Sequence, residues 1–378
     1  MPVGPAEAPS HPPAAAHAPQ ASLFKGIEGT RGWLAWTVVL GHLVSETTLR
    51  QVPHLAMVTT AGNHAVKLFI LISGFVITNL ILDKREAYRT FIVRRALRLY
   101  PAYLLGLALG MATRPLAIGL GRLLAATAGT PAAVHQPAML ANCAHVVLHL
   151  LLLHGMVPNT LLPNAQFMFL PPAWSLSLEW QFYLIAPFLL VALRKRPILT
   201  IAAVGAAAIL CSMGSIGFSV APGLILGTGW YFVPGMAARL LIDRLPRFAR
   251  FPILAIIPAL VVIVLDRDLA PLVAGVGLLL YIRTEGSTRL LDGPVARYFG
   301  ERSYAVYILH FPIIVLCALL ARRILGVAGL PGAGFTIILS VAATLAAAEM
   351  TYRWLERPMI DVGKRLGRRE PGPANQGW

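Results

Sequence analysis

Residues 66–82 read VKLFILISGFVITNLIL, and this stretch decides the class of fold. Lys67 is its only charged side chain, and the run comes close to the roughly 20 apolar residues with which an α-helix crosses a bilayer. Comparable apolar segments occur at 32–49, 99–113, 141–155, 173–193, 197–213, 221–241, 251–265, 269–282, 303–320 and 332–352. The pattern predicts an all-α fold, a polytopic membrane helix bundle.

The composition supports a membrane protein and excludes several soluble classes. Of 378 residues, 57% are hydrophobic and only 13% are charged, whereas a soluble domain carries roughly 25% charged residues. A cytosolic enzyme and a secreted disulfide scaffold are therefore excluded. The net charge of +16 could suit nucleic acid, but the cations lie in short clusters between apolar segments, so we expect no nucleic-acid partner. The three cysteines, all in apolar segments without paired spacing, are predicted to pack in the core.

The distribution of positive charge predicts the topology. If the N-terminus is cytoplasmic and 141–155 does not cross the bilayer, 25 of the 32 Lys and Arg residues fall on the cytoplasmic face. The other seven would lie outside: Arg50, Lys67, Arg114, Arg122, Arg267, Arg322 and Arg323. This balance predicts about ten transmembrane helices with both termini cytoplasmic. Segment 141–155, with its three histidines, is then interfacial or re-entrant.

The chain divides into one membrane domain and two tails. Residues 1–22 are rich in Pro, Ala and His and lack the basic start and apolar core of a signal peptide, so they are predicted to be a disordered cytoplasmic tail. Residues 23–360 form the membrane domain, and 361–378 form a basic cytoplasmic tail.

The first apolar segment carries two polar residues on one helical stripe. Arg31 and His42 are eleven residues apart, which returns to within roughly 20° of the same helix face and rises about 16 Å. Glu28 and Glu46 extend the stripe. A histidine at mid-membrane can accept a proton near neutral pH and is a plausible general base. The alternative is a histidine that is hydrogen-bonded for packing.

Three arginines follow the second apolar segment within a little over one helical turn. Arg95 and Arg98 share a face, and Arg94 lies beside them. Guanidinium groups bind phosphate oxygens in a bidentate manner, so the cluster suits a phosphate-rich ligand. Topogenic charge and contact with phospholipid headgroups are the alternatives.

The segment at 173–193 carries the most polar side chains. Ser175, Glu179 and Tyr183 follow an i, i+4, i+8 stripe. Glu179 could orient an acceptor hydroxyl, hold His42 in one tautomer, or pair with an arginine. These residues are candidates for the site because polar groups in hydrocarbon are costly.

The remaining polar residues of the apolar segments have weaker signals. Ser73 and Gly74 are small residues that favour helix packing. His310 belongs to a cluster with Tyr304, Tyr307 and Pro312, and it is either a satisfied core histidine or a functional one. Glu349 needs a partner and Glu356-Arg357-Pro358 predicts a helix terminus. No His/Cys metal-ligand spacing and no phosphate-binding glycine loop occur, so neither a metal nor a bound cofactor is predicted.

Taken in order, these motifs resemble the acyltransferase-3 family of integral membrane acyltransferases over about residues 25–360. The most specific are Arg31-x10-His42, Arg95-x-x-Arg98 and the run from Trp174 to Tyr183, WSLSLEWQFY. Looser matches are Leu-Ile-Ser73-Gly74-Phe75, the run from Ser303 to Pro312 and the closing Glu356-Arg-Pro358.

The resemblance implies a ten-helix enzyme that moves an acyl group, usually acetyl, from cytoplasmic acyl-CoA to a hydroxyl. Usual acceptors are envelope or exported glycans, as in exopolysaccharide and O-antigen acetyltransferases, with some antibiotics and lipids. It also implies that His42 is essential, that Arg31 acts with it, and that Arg95 and Arg98 hold the CoA phosphates. Two departures stand out: Lys67 replaces a commonly acidic residue, and Gly41 replaces a commonly aromatic one.

We therefore predict a multi-pass O-acetyltransferase of the inner membrane, surrounded by membrane lipids. It uses acetyl-CoA as donor substrate and a polysaccharide or its lipid-linked precursor as acceptor. The predicted residues are His42 and Glu179 for catalysis, Arg31, Arg94, Arg95 and Arg98 for the donor, and Ser175, Tyr183 and His310 for substrate. Acylation of a small exported molecule such as a macrolide sugar is one alternative. A proton-coupled transporter is a weaker one, because no inverted repeat with paired broken helices is found.

Overall fold

The computed structural model describes residues 18–127, 139–212, 221, 223–242, 270–285 and 288–369. All regular secondary structure in these ranges is helical, which confirms the all-α prediction. The helices are α1 Ala18–Ser45, α2 Ala56–Lys84, α3 Tyr88–Thr127, α4 Met139–Leu150, α5 Trp174–Lys195, α6 Pro197–Ser212, α7 Phe232–Leu241, α8 Ala270–Glu285, α9 Pro294–Leu319, α10 Gly329–Thr351 and α11 Arg357–Arg369.

Five helical stretches in the described ranges are long and apolar enough to cross a membrane, so the chain is a multi-pass membrane protein. They are Pro53–Lys84, Tyr88–Ala126, Pro171–Lys195, Pro294–Arg323 and Gly329–Leu366. α1 is not among them, because its glycines and polar side chains lower its hydropathy. α4 has only 12 residues, about 18 Å of helix, which is short for a span. The count of ten spans, the orientation and the interfacial or re-entrant placement of α4 stay predictions.

Several helix boundaries differ from those expected. α1 begins at Ala18, inside the stretch predicted to be a tail, while residues 1–17 and the apolar segment at 251–265 lie outside the described residues. α3 is far longer than the apolar segment at 99–113 and continues through Pro101 and Pro115. Prolines that would end a helix in water are tolerated in membrane helices, because neighbouring helices pack against them.

Two other expectations are corrected by the structure. The predicted terminus at Glu356-Arg357-Pro358 is not an end, because a π-helical turn, Tyr352–Glu356, joins α10 to α11. Pro358 lies directly after this wider turn, as the second residue of α11, and the chain stays helical through it. The core placement of the cysteines is wrong for one of them, since Cys143 is exposed while Cys211 and Cys317 are buried.

The bundle is built around α1 and α9, which pack against each other, with α2 on the other side of α1. α2 and α7 approach backbone to backbone through two glycines. A Cβ on Gly235 would lie 1.9 Å from the carbonyl oxygen of Leu71, and a Cβ on Gly74 would lie 2.2 Å from that of Phe232. Small residues at such crossings are the usual means by which membrane helices pack closely, so the packing role predicted for Gly74 fits its surroundings.

Three buried histidines lie where α4 and the loop that follows it pack against α3. His145, His149 and His154 are each 0% exposed. The His149 and His154 rings stack with centroids 4.0 Å apart. Tyr103 of α3 stacks on His154 and donates a hydrogen bond of 2.7 Å to the carbonyl oxygen of His149. These contacts hold residues 151–173 in place before the chain enters α5.

This cluster predicts a loss of stability in mild acid. Burial lowers the pKa of His149 to about 4 and that of His154 well below its ordinary value of 6.5. Between pH 6.5 and 4 the unfolded chain therefore binds more protons than the folded one, and the free energy of unfolding falls with pH. We expect a loss of about 2 kcal/mol from His149 between pH 7 and pH 5, measured by denaturant titration in bicelles.

The control for this prediction is His149→Asn, which keeps an N–H near the His145 carbonyl but does not titrate. In the native protein His149 Nδ1 lies 2.7 Å from that oxygen. The variant should show a shallower pH dependence than the wild type. An equal slope for both proteins would show that His149 does not contribute.

Candidate active site

His42 lies in the wall of a large cavity, here called the His42 cavity, with a volume of about 520 Å³. The cavity is lined by Val38, Gly41, His42, Ser45, Thr59, Gly62, Asn63, Val66, Lys67, Phe167, Pro171, Pro172, Trp174, Thr228 and Tyr307. The His42 ring packs edge-on against Phe311 at 5.3 Å and lies 5.2 Å from the ring of His310. Within the described residues no hydrogen bond engages its ring nitrogens. The imidazole is therefore available to a bound substrate.

His310 lies behind His42 and not in the cavity wall. It is 0% exposed, and its Nδ1 is 3.1 Å from the carbonyl oxygen of Val306. Because a carbonyl oxygen only accepts, that nitrogen carries the proton, and Nε2 keeps a buried lone pair without a partner. His310 was predicted to contact substrate, but its surroundings suit a residue that positions His42.

A second, smaller space adjoins the His42 cavity and is called here the Arg31 chamber. Its volume is about 40 Å³, enough for a few water molecules. The lining residues are Arg31, Val66, Phe69, Ile70, Ser73, Ser175, Leu176, Glu179, Phe232, Ser303, Tyr304 and Tyr307. Val66 and Tyr307 line both spaces, so the chamber opens beside His42. Arg31 and His42 are thus brought into neighbouring cavities, as their common stripe on α1 predicted.

Glu179 faces Arg31 and does not contact His42. It accepts hydrogen bonds from Ser73, at 3.2 Å, and from Tyr183, and it interacts electrostatically with Arg31. Of the three roles considered for Glu179, interaction with an arginine is the one its surroundings match, although the carboxylate and the Arg31 guanidinium are not within ion-pair distance of each other. Ser73, interpreted from the sequence as a packing residue, is a direct partner of this carboxylate.

The other two members of the α5 stripe have different surroundings. Tyr183 is buried, lines neither space and holds Glu179. Ser175 lies where the two spaces meet, with its Oγ 2.7 Å from the Tyr307 hydroxyl. The Tyr307 hydroxyl in turn donates to the carbonyl oxygen of Pro172 at 2.8 Å. Ser175 can therefore touch a substrate, whereas Tyr183 cannot reach one in this conformation.

The three arginines at the start of α3 are not equivalent. Arg94 forms an ion pair with Glu86. Arg95 lies over the rings of Phe91 and Tyr183, at 6.0 and 5.9 Å, and its buried Nε has no hydrogen-bond partner. Within the described residues neither Arg95 nor Arg98 forms an ion pair. A bound anion would therefore not have to displace an ion-pair partner from either of these two cations.

Glu356 is a member of the charged cluster that sequence reasoning missed. It is 2% exposed, its Oε1 has no partner, and it interacts electrostatically with Arg98 and Arg31. In the sequence Glu356 was noted only as part of a predicted helix terminus and of the closing Glu-Arg-Pro motif, and neither signal placed it beside Arg31 and Arg98. Glu349, by contrast, has the structural partners that were expected, because it pairs with Arg302 and Arg353.

Lys67, the residue that departs from the family pattern, lies in the wall of the His42 cavity. Its ammonium group is 5.8 Å from the centroid of the Tyr231 ring. The departure therefore places a cation in the wall of the same cavity as His42.

Comparisons with known proteins identify the family of this chain. The profile described as an acyltransferase domain matches residues 24–349. The chain is 26% identical to acyltransferase MdmB of Streptomyces mycarofaciens, with 93% of this chain and 95% of MdmB aligned. It is 25% identical to YrhL of Bacillus subtilis strain 168, provisionally named a peptidoglycan O-acetyltransferase, with 90% of this chain and 55% of YrhL aligned. No solved structure matches. The chain belongs to the acyltransferase-3 family and is a multi-pass membrane O-acyltransferase.

Proposed function

We propose that the enzyme transfers an acyl group, in the first instance acetyl, from cytoplasmic acyl-CoA to a hydroxyl of an envelope or exported polysaccharide or its lipid-linked precursor. The observation that carries the proposal is the His42 imidazole, which lines a 520 Å³ cavity and has no hydrogen-bond partner among the described residues. The name given to YrhL supports a glycan acceptor.

The donor binds at the start of α3 in this proposal. Arg95 and Arg98 hold the CoA phosphates, because guanidinium groups form paired, charge-assisted hydrogen bonds to phosphate. Arg94 contributes less because it is already paired with Glu86. Arg31 interacts electrostatically with Arg98 and lines the chamber beside the His42 cavity, and in this proposal it guides the thioester towards that cavity.

The chemical step follows one of two routes at His42. As a general base, His42 takes the proton of the acceptor hydroxyl while the hydroxyl oxygen attacks the thioester carbonyl. The C–S bond then breaks, and the CoA sulfur receives the proton from His42. As a nucleophile, a ring nitrogen attacks the thioester carbonyl, the C–S bond breaks, and the CoA sulfur takes the proton that the imidazole loses. The acceptor hydroxyl then attacks the acyl-imidazole, the acyl–nitrogen bond breaks, and the hydroxyl proton passes to the imidazole. Ser175 and the Tyr307 hydroxyl lie at the junction where an acceptor hydroxyl can be oriented.

The test is acyl transfer by purified protein in nanodiscs. Acetyl-CoA is supplied with a glycan fraction from the host envelope, and released thiol and acetylated glycan are measured. We expect glycan-dependent thiol release, and a new O-acetyl signal by NMR that is lost when the gene is deleted. An intact thioester with every acceptor would contradict the enzymatic proposal and suit a transporter. Transfer to small hydroxylated compounds but never to glycan would show that the acceptor is a small molecule and not a glycan.

Arg98→Ala should weaken acyl-CoA binding more than it slows the chemistry. Loss of a charge-assisted contact of about 1.5–3 kcal/mol corresponds to a rise of about 10- to 100-fold in KM for acetyl-CoA, with kcat changed much less. The matched control is Arg94→Ala, which should raise KM less, because Arg94 already pairs with Glu86. An unchanged KM in Arg98→Ala, or equal changes in both variants, would contradict the role of Arg98.

A further inference from the structure

A third cavity lies beside the His42 cavity and contains one charged residue. This Arg114 cavity has a volume of about 240 Å³ and lies between α3 and residues 164–171. It is lined by Gly110, Thr113, Arg114, Ala117, Ile118, Gly121, Asn164, Phe167, Met168, Phe169, Pro171 and Phe311.

Arg114 has only neutral partners. Its Nε lies 3.1 Å from the sulfur of Met168, and its guanidinium carbon is 5.9 Å from the centroid of the Phe169 ring. Within the described part of the chain no carboxylate pairs with it or interacts with it electrostatically. A half-buried cation in apolar surroundings is costly unless a counter-charge compensates it. In this site the counter-charge can come from a bound molecule.

The Arg114 cavity is continuous with the catalytic space. Phe167 and Pro171 line both the Arg114 cavity and the His42 cavity. Phe311 lines the Arg114 cavity and packs against the His42 ring. A molecule that occupies both cavities can therefore place one group at Arg114 and another at His42.

This space lies at the opposite end of α3 from the cations assigned to the donor. Arg114 follows Arg98 by sixteen residues, about 24 Å along the helix. Lys67 adds a second cation in the wall of the His42 cavity. The described lining residues of these two cavities include no Asp or Glu. The charge of the acceptor side is therefore positive.

We propose that the Arg114 cavity is a subsite for an anionic group of the acceptor, a carboxylate of an acidic sugar or a phosphate of a lipid-linked glycan. The inference rests on the proposed function and adds that the acceptor is acidic. The Arg114 guanidinium binds the anion through paired hydrogen bonds, and the hydroxyl to be acylated lies on the neighbouring part of the acceptor, towards His42.

The experiment measures binding by the full-length protein in phosphatidylcholine nanodiscs, without acyl-CoA. The sugar arm compares p-nitrophenyl glucuronide with p-nitrophenyl glucoside, and the lipid arm compares farnesyl phosphate with farnesol. Dissociation constants are measured by titration calorimetry for the wild type, Arg114→Gln, Arg114→Lys and Arg122→Gln. Arg122 is a matched control, because it is exposed on the same helix and lines none of the three cavities.

We expect the wild type to bind the anionic probe of at least one arm about tenfold or more tightly than its neutral partner. That preference should disappear in Arg114→Gln, persist in part in Arg114→Lys and be unchanged in Arg122→Gln. The arm that shows it identifies the source of the anion. Two results would overturn the inference. One is equal affinity of the wild type for the charged and neutral probes in both arms, a result that does not depend on whether Arg114→Gln folds. The other is a preference for the anionic probe that survives in Arg114→Gln.

The outcome is separable from that of the proposed function. Binding of the probes needs no acyl-CoA and no turnover, so a failure of acyl transfer leaves the measurement valid. Conversely, efficient transfer to neutral acceptors together with equal probe affinities would overturn the acidic subsite and leave the acyltransferase intact.

Discussion

Replacing His42 with alanine is expected to reduce acyl transfer by about 10²- to 10⁴-fold, the contribution typical of a general base. The ring faces the largest of the described cavities and is the group there best able to accept a proton or an acyl group. Its protein contacts are ring contacts with His310 and Phe311, so its removal leaves no buried ion unpaired. We therefore expect the variant to insert and fold. Acetyl transfer is measured in nanodiscs at saturating acetyl-CoA.

The matched control is His54→Ala, a substitution of an exposed histidine that lines none of the three cavities. It should leave transfer near neutral pH unchanged. Acid quenching of the wild type with labelled acetyl-CoA, in the absence of acceptor, distinguishes the two routes, because only the nucleophilic route leaves label on the protein. Transfer within tenfold of wild type in His42→Ala would remove His42 from the mechanism.

The second large effect is expected at Glu179. Glu179→Ala removes the acceptor of the Ser73 and Tyr183 hydrogen bonds and the negative charge that faces Arg31. Leaving buried hydrogen-bond donors without their acceptor costs about 1–3 kcal/mol, so the free energy of unfolding should fall by about that amount. Transfer should fall as well, because Arg31 is then no longer held at the chamber. Unfolding is measured by denaturant titration in bicelles.

A double-mutant cycle isolates the interaction with Arg31. In the double variant Arg31→Ala/Glu179→Ala, the free energy of unfolding should fall by less than the sum of the losses in the two single variants. We expect the difference to be at least about 1 kcal/mol. Glu179→Gln is the matched variant, because its amide oxygen can still accept from Ser73 and Tyr183 while the charge is gone. Strict additivity would show that the carboxylate serves its hydrogen bonds alone.

The part of the site that follows from local helical geometry could be predicted from the sequence. Arg31 and His42 share a stripe of one helix, and the structure places them in adjoining spaces. Arg95 and Arg98 are neighbours by the same argument. The apolar segments likewise indicate membrane helices whatever their contacts, because hydrocarbon leaves few other structures possible.

What could not be predicted depends on contacts between distant parts of the chain. Ser73 gave a packing signal, and only the approach of α2 to α5 makes it a partner of Glu179. From the sequence we expected His310 and Tyr183 to contact substrate. In the structure both side chains are buried and neither lines any of the three cavities. Arg114 counted as one of seven outside charges until the fold placed it beside Met168 and Phe169. A helix pattern gives the face of a residue but not what covers that face.

Residues 151–173, held to α3 by the stacked histidines, have a consequence for how this enzyme can diversify. The loop supplies Phe167, Pro171 and Pro172 to the wall of the His42 cavity and Phe169, among others, to that of the Arg114 cavity. The Arg31 chamber, by contrast, takes its described lining from helices, with none from this loop. Under the proposed function, exchange of this loop would change the acceptor that is modified, while the helices would keep the same acyl donor. Grafting this segment between relatives offers a route to altered acceptor preference.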